Sequence, residues 1–390
     1  MVEAGIDQLT IVLLAHDDVL NNKNRRWNDI ASEIIFELEE RLNLIDILGE
    51  RGLMKKAISG YLIGYTYGNH DFSFAIYYHH QYARMGVLVK FSAQSLAYYQ
   101  GQTNLYVYEV LQKMQSQLYQ VRCSRIDIAL DFINEGINIT DIHKQYSEKR
   151  LKILVMRERN GKIEQIAKSH SIHGITEGSE FQTIYLGNRE NPLYMRIYDK
   201  KVEQINSKKG SRRSEAEEYD NWIRFELEIK KDYAHDLTEA LLNTNCQTEF
   251  KELILGFFIQ KFYFVTVEND EYVPTPFMQK IIEMKNDKSI VLFKSVNTRN
   301  TELSKSFLYI LKSSGVITAL YKILAIWGKN GLNESIKSVI NYMKNEYNPN
   351  RDCIEFLKNN GKEYKDYYRN FNDFFEDEVK PELDDIARCD

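Results

Sequence analysis

The stretch that most constrains the fold runs from residue 185 to residue 201 and reads YLGNRENPLYMRIYDKK. Gly, Asn and Pro between its two apolar runs predict two short strands joined by a turn. Because side chains alternate along a strand, one face carries tyrosines and cations, namely Tyr194, Arg196, Tyr198 and Lys200. Such a row suits attack on a phosphodiester, with a phenol as nucleophile and positive charge to hold the phosphate. It also suits an ordinary solvated strand face.

Two further stretches alternate in the same way. Residues 122–132 read RCSRIDIALDF and residues 221–230 read NWIRFELEIK. Each predicts a strand with one apolar face and one acidic face. We expect four exposed carboxylates on these polar faces, those of Asp127, Asp131, Glu226 and Glu228.

The order of elements predicts an α+β fold with a large antiparallel sheet and helices packed on it. Strands are expected at 5–14, 61–67, 71–78, 86–91, 151–156 and 183–186, besides the three stretches above, and helices at 28–43, 96–120 and 200–220, the last broken near Gly210. Hairpin, helix and strand occur twice in this order. We therefore expect two diverged halves of one continuous sheet.

The remainder of the chain predicts helices. They are expected at 237–259, 277–285, 301–311, 316–327 and 335–347, with a short extended segment at 262–267. The proline pair Pro274 and Pro276 suggests a boundary. We expect a catalytic domain over residues 1–270 and a helical C-terminal domain over residues 271–390, whose acidic end is expected to fray.

Composition limits the function only weakly. The formal net charge of −5 offers no global positive field for nucleic acid, although a local basic face remains compatible with it. The four cysteines are scattered and show no metal-binding or disulfide spacing. No signal peptide and no apolar run of membrane-spanning length is visible, so we expect a cytoplasmic protein without a membrane partner.

The paired acids suggest a divalent metal site. Oxygen ligands favour Mg²⁺ or Mn²⁺. Residues two apart on a strand lie about 7 Å from each other, so Glu226 and Glu228 can converge, whereas Asp127 and Asp131 are about 13 Å apart. The expected ligands are therefore Asp127, Glu226 and Glu228.

Histidines and basic residues give further candidates. His79 and His80 are adjacent and face opposite ways on a strand, and the pair His170 and His173 lies in an expected loop. Basic residues cluster after the tyrosine strand, at Lys200, Lys201, Lys208, Lys209, Arg212 and Arg213, and in a second patch at Lys149, Arg150, Lys152, Arg157, Arg159 and Lys162. Both clusters are candidate phosphate contacts.

Taken together, these motifs resemble the replication initiation factor family, which includes initiators of rolling-circle plasmids and relaxases of integrative conjugative elements. The resemblance rests on the three stretches above, on Gly5-Ile-Asp and on residues 85–92, and it covers about residues 5–235. It implies that Tyr198 attacks DNA with Arg196 beside it, and that Asp127, Glu226 and Glu228 are the site acids. Tyr194 is the alternative nucleophile, but its position is often another aromatic in the family.

The implied chemistry is origin-specific nicking and joining, which makes residues 1–270 the nicking and joining catalytic domain. Attack leaves a 5′-phosphotyrosine and a free 3′-hydroxyl that primes rolling-circle replication. A phenol has a pKa of about 10, so Arg196 and a metal ion are expected to favour the phenolate. Lys200, Lys201 and Arg224 are the expected DNA contacts. The expected partners are origin DNA, single-stranded or cruciform at the nick, a host helicase and a second copy of the chain. A conjugative relaxase and a non-catalytic DNA-binding regulator are the alternatives.

Overall fold

The computed structural model describes residues 1–285 and 303–380, apart from 23, 59, 69–72, 160–161, 208–211, 269–270, 313–314, 350–352, 355, 359–360, 362–363 and 366–367. Contacts within the chain divide it into two compact units, Met1–Ser295 and Val296–Asp390. Lys208 and Lys209 of the expected basic cluster lie outside the described residues, as does the acidic end beyond residue 380.

Unit 1 is built on antiparallel strands. They are β1 (Val2–Ala15), β2 (Arg51–Leu53), β3 (Ile63–Tyr67), β4 (Phe74–Tyr78), β5 (Val87–Phe91), β6 (Tyr119–Ile133), β7 (Leu151–Arg159), β8 (Lys162–Ala167), β9 (Ile172–Glu177), β10 (Glu180–Leu186), β11 (Leu193–Asp199), β12 (Trp222–Lys230), β13 (Tyr263–Glu268) and β14 (Glu271–Pro274). Ten of them form one sheet in the order β2-β3-β4-β5-β1-β6-β12-β11-β10-β9. A second sheet has the order β14-β13-β7-β8.

Helices connect and cover the strands of unit 1. They are α1 (Asp17–Leu20), α2 (Trp27–Leu42), α3 (Leu44–Leu48), α4 (Ala93–Thr103), α5 (Val107–Lys113), α6 (Ile139–Ser147), α7 (Lys200–Asn206), α8 (Arg213–Glu218), α9 (Asp232–Leu242), α10 (Gln247–Lys261) and α11 (Pro276–Glu283). The expected α+β class with a large antiparallel sheet is confirmed.

The main core lies on one face of the ten-stranded sheet, which we call the core face. Strand residues such as Leu9, Ile128 and Leu227 are fully buried there against helices that include α2 and α10 and against the second sheet. Each large apolar side chain removed from water contributes about 1.5–3 kcal/mol. Because side chains alternate, this packing leaves the polar residues of the central strands together on the opposite face, which we call the site face.

Several elements differ from the sequence-based expectation. The helix expected at 96–120 is two helices, because Asn104 ends α4 in the left-handed conformation at φ 55°. The helix expected at 237–259 is likewise split into α9 and α10. Strands β8 and β9 were not expected, and β7 belongs to the second sheet rather than to one continuous sheet. The two expected halves nevertheless meet, since their last strands, β6 and β12, are paired neighbours.

The segment after residue 270 continues unit 1. Strand β14 pairs with β13. Helix α11 begins at Pro276, with the Thr275 side chain accepting a hydrogen bond from the Met278 N–H. Phe277, Met278 and Ile281 of α11 are buried in the main core.

Unit 2 is helical in the part that the structure describes. It contains α12 (Leu303–Lys312), α13 (Val316–Asn345) and a short helix, Phe371–Phe374, that continues as a π-helical turn, Phe375–Val379. Gly328 interrupts α13 with a non-helical conformation, φ 66° and ψ −165°, which matches the two helices expected there. Within the described ranges, none of the helices is long and apolar enough to cross a bilayer.

Candidate active site

Three central strands bring the expected site residues together on the site face. On the β11–β12 pair, Tyr198 lies opposite Arg224 and Arg196 lies opposite Glu226. On the β12–β6 pair, Glu228 lies opposite Asp127. Sequence positions about a hundred residues apart thus become neighbours because β6 and β12 are adjacent.

Tyr198 is held by an acid and covered by cations. Its side chain is 6% exposed, and its hydroxyl donates a hydrogen bond to Glu226 Oε2 at 3.1 Å. The Arg196 guanidinium carbon lies 4.5 Å from the Tyr198 ring centroid, and Lys200 Nζ lies 5.7 Å from it. Arg196 Nη2 also donates to both oxygens of Glu226, at 2.8 and 2.7 Å. Glu226 is therefore the shared partner of the phenol and the guanidinium.

The protonation of Tyr198 differs from the expectation. Burial raises the pKa of the Tyr198 phenol well above its ordinary value, and the negative charge of Glu226 raises this pKa further. Arg224 and Arg196 act in the opposite direction, but they do not outweigh burial. The resting group is a phenol, so attack requires a proton acceptor, and Glu226 is already hydrogen-bonded to that proton.

The four acids are buried, and the expectation that they would be exposed is wrong. Asp127, Asp131, Glu226 and Glu228 are only 1%, 5%, 6% and 6% exposed. The reason is that cationic side chains lie against the acids on the site face. Buried charges persist only when they are paired, and these four are.

An arginine network supplies the pairing. Arg125 donates to both oxygens of Asp127, at 2.8 and 2.6 Å, and its Nη2 lies 2.7 Å from Glu228 Oε2. Arg224 donates to both oxygens of Asp131 at 2.7 Å. Burial nevertheless raises the pKa of Asp127 to about 7, with the negative charges of Glu226 and Glu228 adding to the effect.

Asp7 belongs to this network and was not among the expected site residues. It accepts a hydrogen bond from Arg224 Nη1 at 2.6 Å, and burial raises the pKa of its carboxyl. A register shift between Ile6 and Gln8 on β1 brings Asp7 to the site face. The apolar residues Ile6 and Leu9 are three apart instead of two, which is the sequence signal of a β-bulge.

The acids have the right chemistry for Mg²⁺ or Mn²⁺ but not the arrangement. Arg125 lies between Asp127 and Glu228, and Arg196 holds Glu226. Among the described residues, no group of three histidines, cysteines or acids is placed to hold a metal ion. The described arrangement therefore does not fit a metal, and a requirement for one stays a prediction.

A cleft of about 230 Å³ opens beside the nucleophile candidate. Its lining includes Tyr198, Arg196, Tyr185 and Glu203. Arg196 retains a 41% exposed side chain, so part of this cationic side chain is accessible to a bound anion. The cleft is thus lined by a tyrosine and a reachable cation, and both of these side chains are hydrogen-bonded to Glu226.

Several of the other expected DNA contacts are paired within the protein. Lys200 and Arg224 are 8% and 6% exposed, and Lys200 bonds Glu203 at 2.8 Å. Lys201 donates to the backbone oxygen of Tyr219. Arg212 and Arg213 pair with Glu215 and Glu217, and Arg150 of the second patch pairs with Glu148.

The histidine candidates are not among the residues that line the cleft. His79 and His80 follow β4 instead of lying on a strand, and their rings stack with centroids 5.1 Å apart, so the expectation that they face opposite ways is wrong. His173 lies in strand β9 rather than in the expected loop. Its ring stacks on Tyr185, which in turn stacks on Tyr194. Tyr194, the alternative nucleophile, therefore belongs to a row of rings and is 9% exposed.

Comparison with known proteins identifies the family. The model of the replication initiation factor family matches residues 121–336, more than half of the chain. The protein belongs to the replication initiation factor family. A comparison with proteins of curated function finds no match.

A solved structure shares the fold. It is the rolling circle replication initiator protein from Geobacillus stearothermophilus, with 19% sequence identity and a TM-score of 0.53. The similarity covers 73% of this chain and 97% of that one.

Proposed function

We propose that this protein nicks and rejoins one strand of origin DNA, with Tyr198 as the nucleophile, to initiate rolling-circle replication of a plasmid or mobile element. The observation that carries the proposal is the hydrogen bond from the Tyr198 hydroxyl to the buried carboxylate of Glu226 beside an open cleft. Family membership supports a role in replication initiation.

The proposed reaction exchanges one phosphodiester for another. The Tyr198 oxygen bonds to phosphorus, Glu226 accepts the phenolic proton, and the bond from phosphorus to the 3′ oxygen breaks. That oxygen takes up a proton and becomes the 3′-hydroxyl. The 5′ end stays on the tyrosine, so the bond energy is conserved for rejoining.

Arg196 has two tasks in this scheme. Its bond to both oxygens of Glu226 orients the base toward the phenol. Its exposed portion faces the cleft, where it can stabilise charge on the phosphate oxygens. Lys200, Lys201 and Arg224 stay predictions as DNA contacts, and each would have to exchange its present partner for a phosphate.

The remaining expectations are proposals of the same kind. Mg²⁺ or Mn²⁺ would be held by Asp127, Glu226 and Glu228. Arg125 would first have to leave its place between Asp127 and Glu228. A host helicase and a second copy of the chain are proposed partners. A conjugative relaxase would use the same chemistry, and genomic neighbours distinguish the two roles.

The deciding experiment is incubation with supercoiled DNA that carries the cognate origin, followed by denaturing electrophoresis to detect a protein–DNA adduct. An adduct that maps to Tyr198 supports the proposal. Origin binding without any adduct would instead support the non-catalytic regulator.

A further inference from the structure

Three aromatic rings form a column on the site face next to the cleft. The rings of His173 and Tyr185 have centroids 5.1 Å apart and planes 21° apart. Those of Tyr185 and Tyr194 have centroids 5.8 Å apart and planes 11° apart. The three residues come from three successive strands, β9, β10 and β11, which explains the regular spacing.

The column meets the cleft at its middle ring and is open at the His173 end. Tyr185 lines the cleft that contains Tyr198, and it lies directly opposite Arg196 in the β10–β11 register. His173 is exposed and lies on β9, the edge strand of the ten-stranded sheet. The outer end of the column is therefore accessible from solvent.

Two cations lie beside the inner part of the column, near Tyr185 and Tyr194. Arg196 is 41% exposed, and the exposed Arg189 lies close enough to Tyr194 to lower the pKa of its phenol, although burial raises that pKa overall. Flat rings between accessible cations match a strand of nucleotides, in which flat bases alternate with phosphates.

We propose that His173, Tyr185 and Tyr194 form a stacking platform for bases of single-stranded DNA that flank the scissile phosphate. A base continues the column on the outer ring of His173, while neighbouring phosphates contact Arg196 and Arg189. Stacking of this kind tolerates any sequence, because every base has a flat face. The proposal deepens the proposed nicking function and rests on it for the identity of the ligand.

Cross-strand ring pairs also stabilise sheets without binding anything. The two roles make different predictions about the ligand's bases. A stacking platform binds a DNA strand with bases more tightly than the same backbone without bases. A ring pair that only stabilises the sheet binds the two equally.

The test measures binding of two fluorescent probes by anisotropy, a twelve-nucleotide oligothymidylate and an abasic strand of the same length. We expect the unaltered protein to prefer the thymidylate, and His173→Ala to lose about 5- to 150-fold of its affinity for that probe. The variant should bind the abasic strand as the unaltered protein does. Tyr185→Phe keeps the ring and should keep the preference.

Tyr106→Leu is the matched control, because Tyr106 stacks on Tyr108 in the same way but precedes α5, a helix of the core face. Equal binding of both probes by the unaltered protein would overturn the proposal, as would an undiminished preference in His173→Ala. Neither probe has to be cleaved, so this result is independent of whether Tyr198 is the nucleophile.

Discussion

One nitrogen of Arg125 binds carboxylates on two strands at once. Its Nη2 lies 2.6 Å from Asp127 Oδ2 on its own strand and 2.7 Å from Glu228 Oε2 on the next. The guanidinium thereby occupies the place between two acids that a metal ion would need.

Arg125→Met removes this cation and leaves two buried acids without it. We expect the free energy of unfolding to fall by about 3 kcal/mol, the lower end of the range for a broken buried pair, because Arg125 is partly exposed. Urea denaturation measures the change. Arg213→Met is the control, since its exposed pair with Glu217 should contribute under about 1 kcal/mol.

The same variant tests the metal proposal. With Arg125 gone, Mg²⁺ or Mn²⁺ should raise the melting temperature of Arg125→Met more than that of the unaltered protein, because no cation then lies between Asp127 and Glu228 and only Lys230 still pairs with Glu228. An equal response of the two proteins to the ion would argue against these acids as ligands.

Tyr198→Phe removes one oxygen and keeps the ring that lies under Arg196. We expect no covalent adduct on origin DNA, with binding of that DNA retained. Tyr194→Phe, on the same strand and face, should still form the adduct. The assignment fails if these two results are exchanged.

Glu226→Gln keeps the shape of the side chain and removes the proton acceptor. We expect the rate of nicking to fall by roughly 10²- to 10⁴-fold, the usual contribution of a general base. Single-turnover cleavage of saturating origin DNA measures it. Nicking at the normal rate would show that the phenolic proton leaves by another route.

The raised pKa of Asp127, about 7, predicts a pH dependence of stability. An unfolded aspartate has a pKa of about 3.9, so between these values the folded state binds more protons and stability falls as pH rises. The loss through this window amounts to up to about 4 kcal/mol. Urea denaturation from pH 4 to pH 8 should show a smaller slope in Asp127→Asn, and identical slopes would contradict the prediction.

We propose that the boundary between the catalytic unit and the C-terminal unit lies near residue 295. A fragment of residues 1–295 should fold and nick single-stranded origin DNA. A fragment that ends at residue 270 loses β14 and the buried Phe277, Met278 and Ile281, and we expect it to be insoluble. Solubility and nicking by the shorter fragment would place the boundary at 270.

Much of the sheet was predictable, because β6, β11 and β12 alternate cleanly between apolar and polar residues. Strand β9 was not, since its polar sequence resembles a loop and it is defined by pairing with β10. The break at Asn104 depends on a left-handed residue that helical periodicity does not reveal.

The identity of the site residues was also easier to predict than their burial and their ion pairs. Alternation and family motifs place Tyr198, Arg196 and Glu226 on one face. The site acids are buried because arginines on one strand pair with acids on the next. Which arginine meets which acid depends on the register of the strands, and the sequence does not give that register. The bulge at Asp7 also depends on the register of the strands, although the three-residue spacing of Ile6 and Leu9 is visible in the sequence.

The nucleophile candidate stands on a strand with paired neighbours on both sides. Tyr198 lies opposite Thr183 on β10 and opposite Arg224 on β12, so its backbone is fixed from two directions. If DNA is attached here, the attached end cannot be carried to a distant partner by movement of the tyrosine. Rejoining then requires that the free 3′ end travel to a stationary anchor, and the distance it covers is set by the DNA rather than by the enzyme.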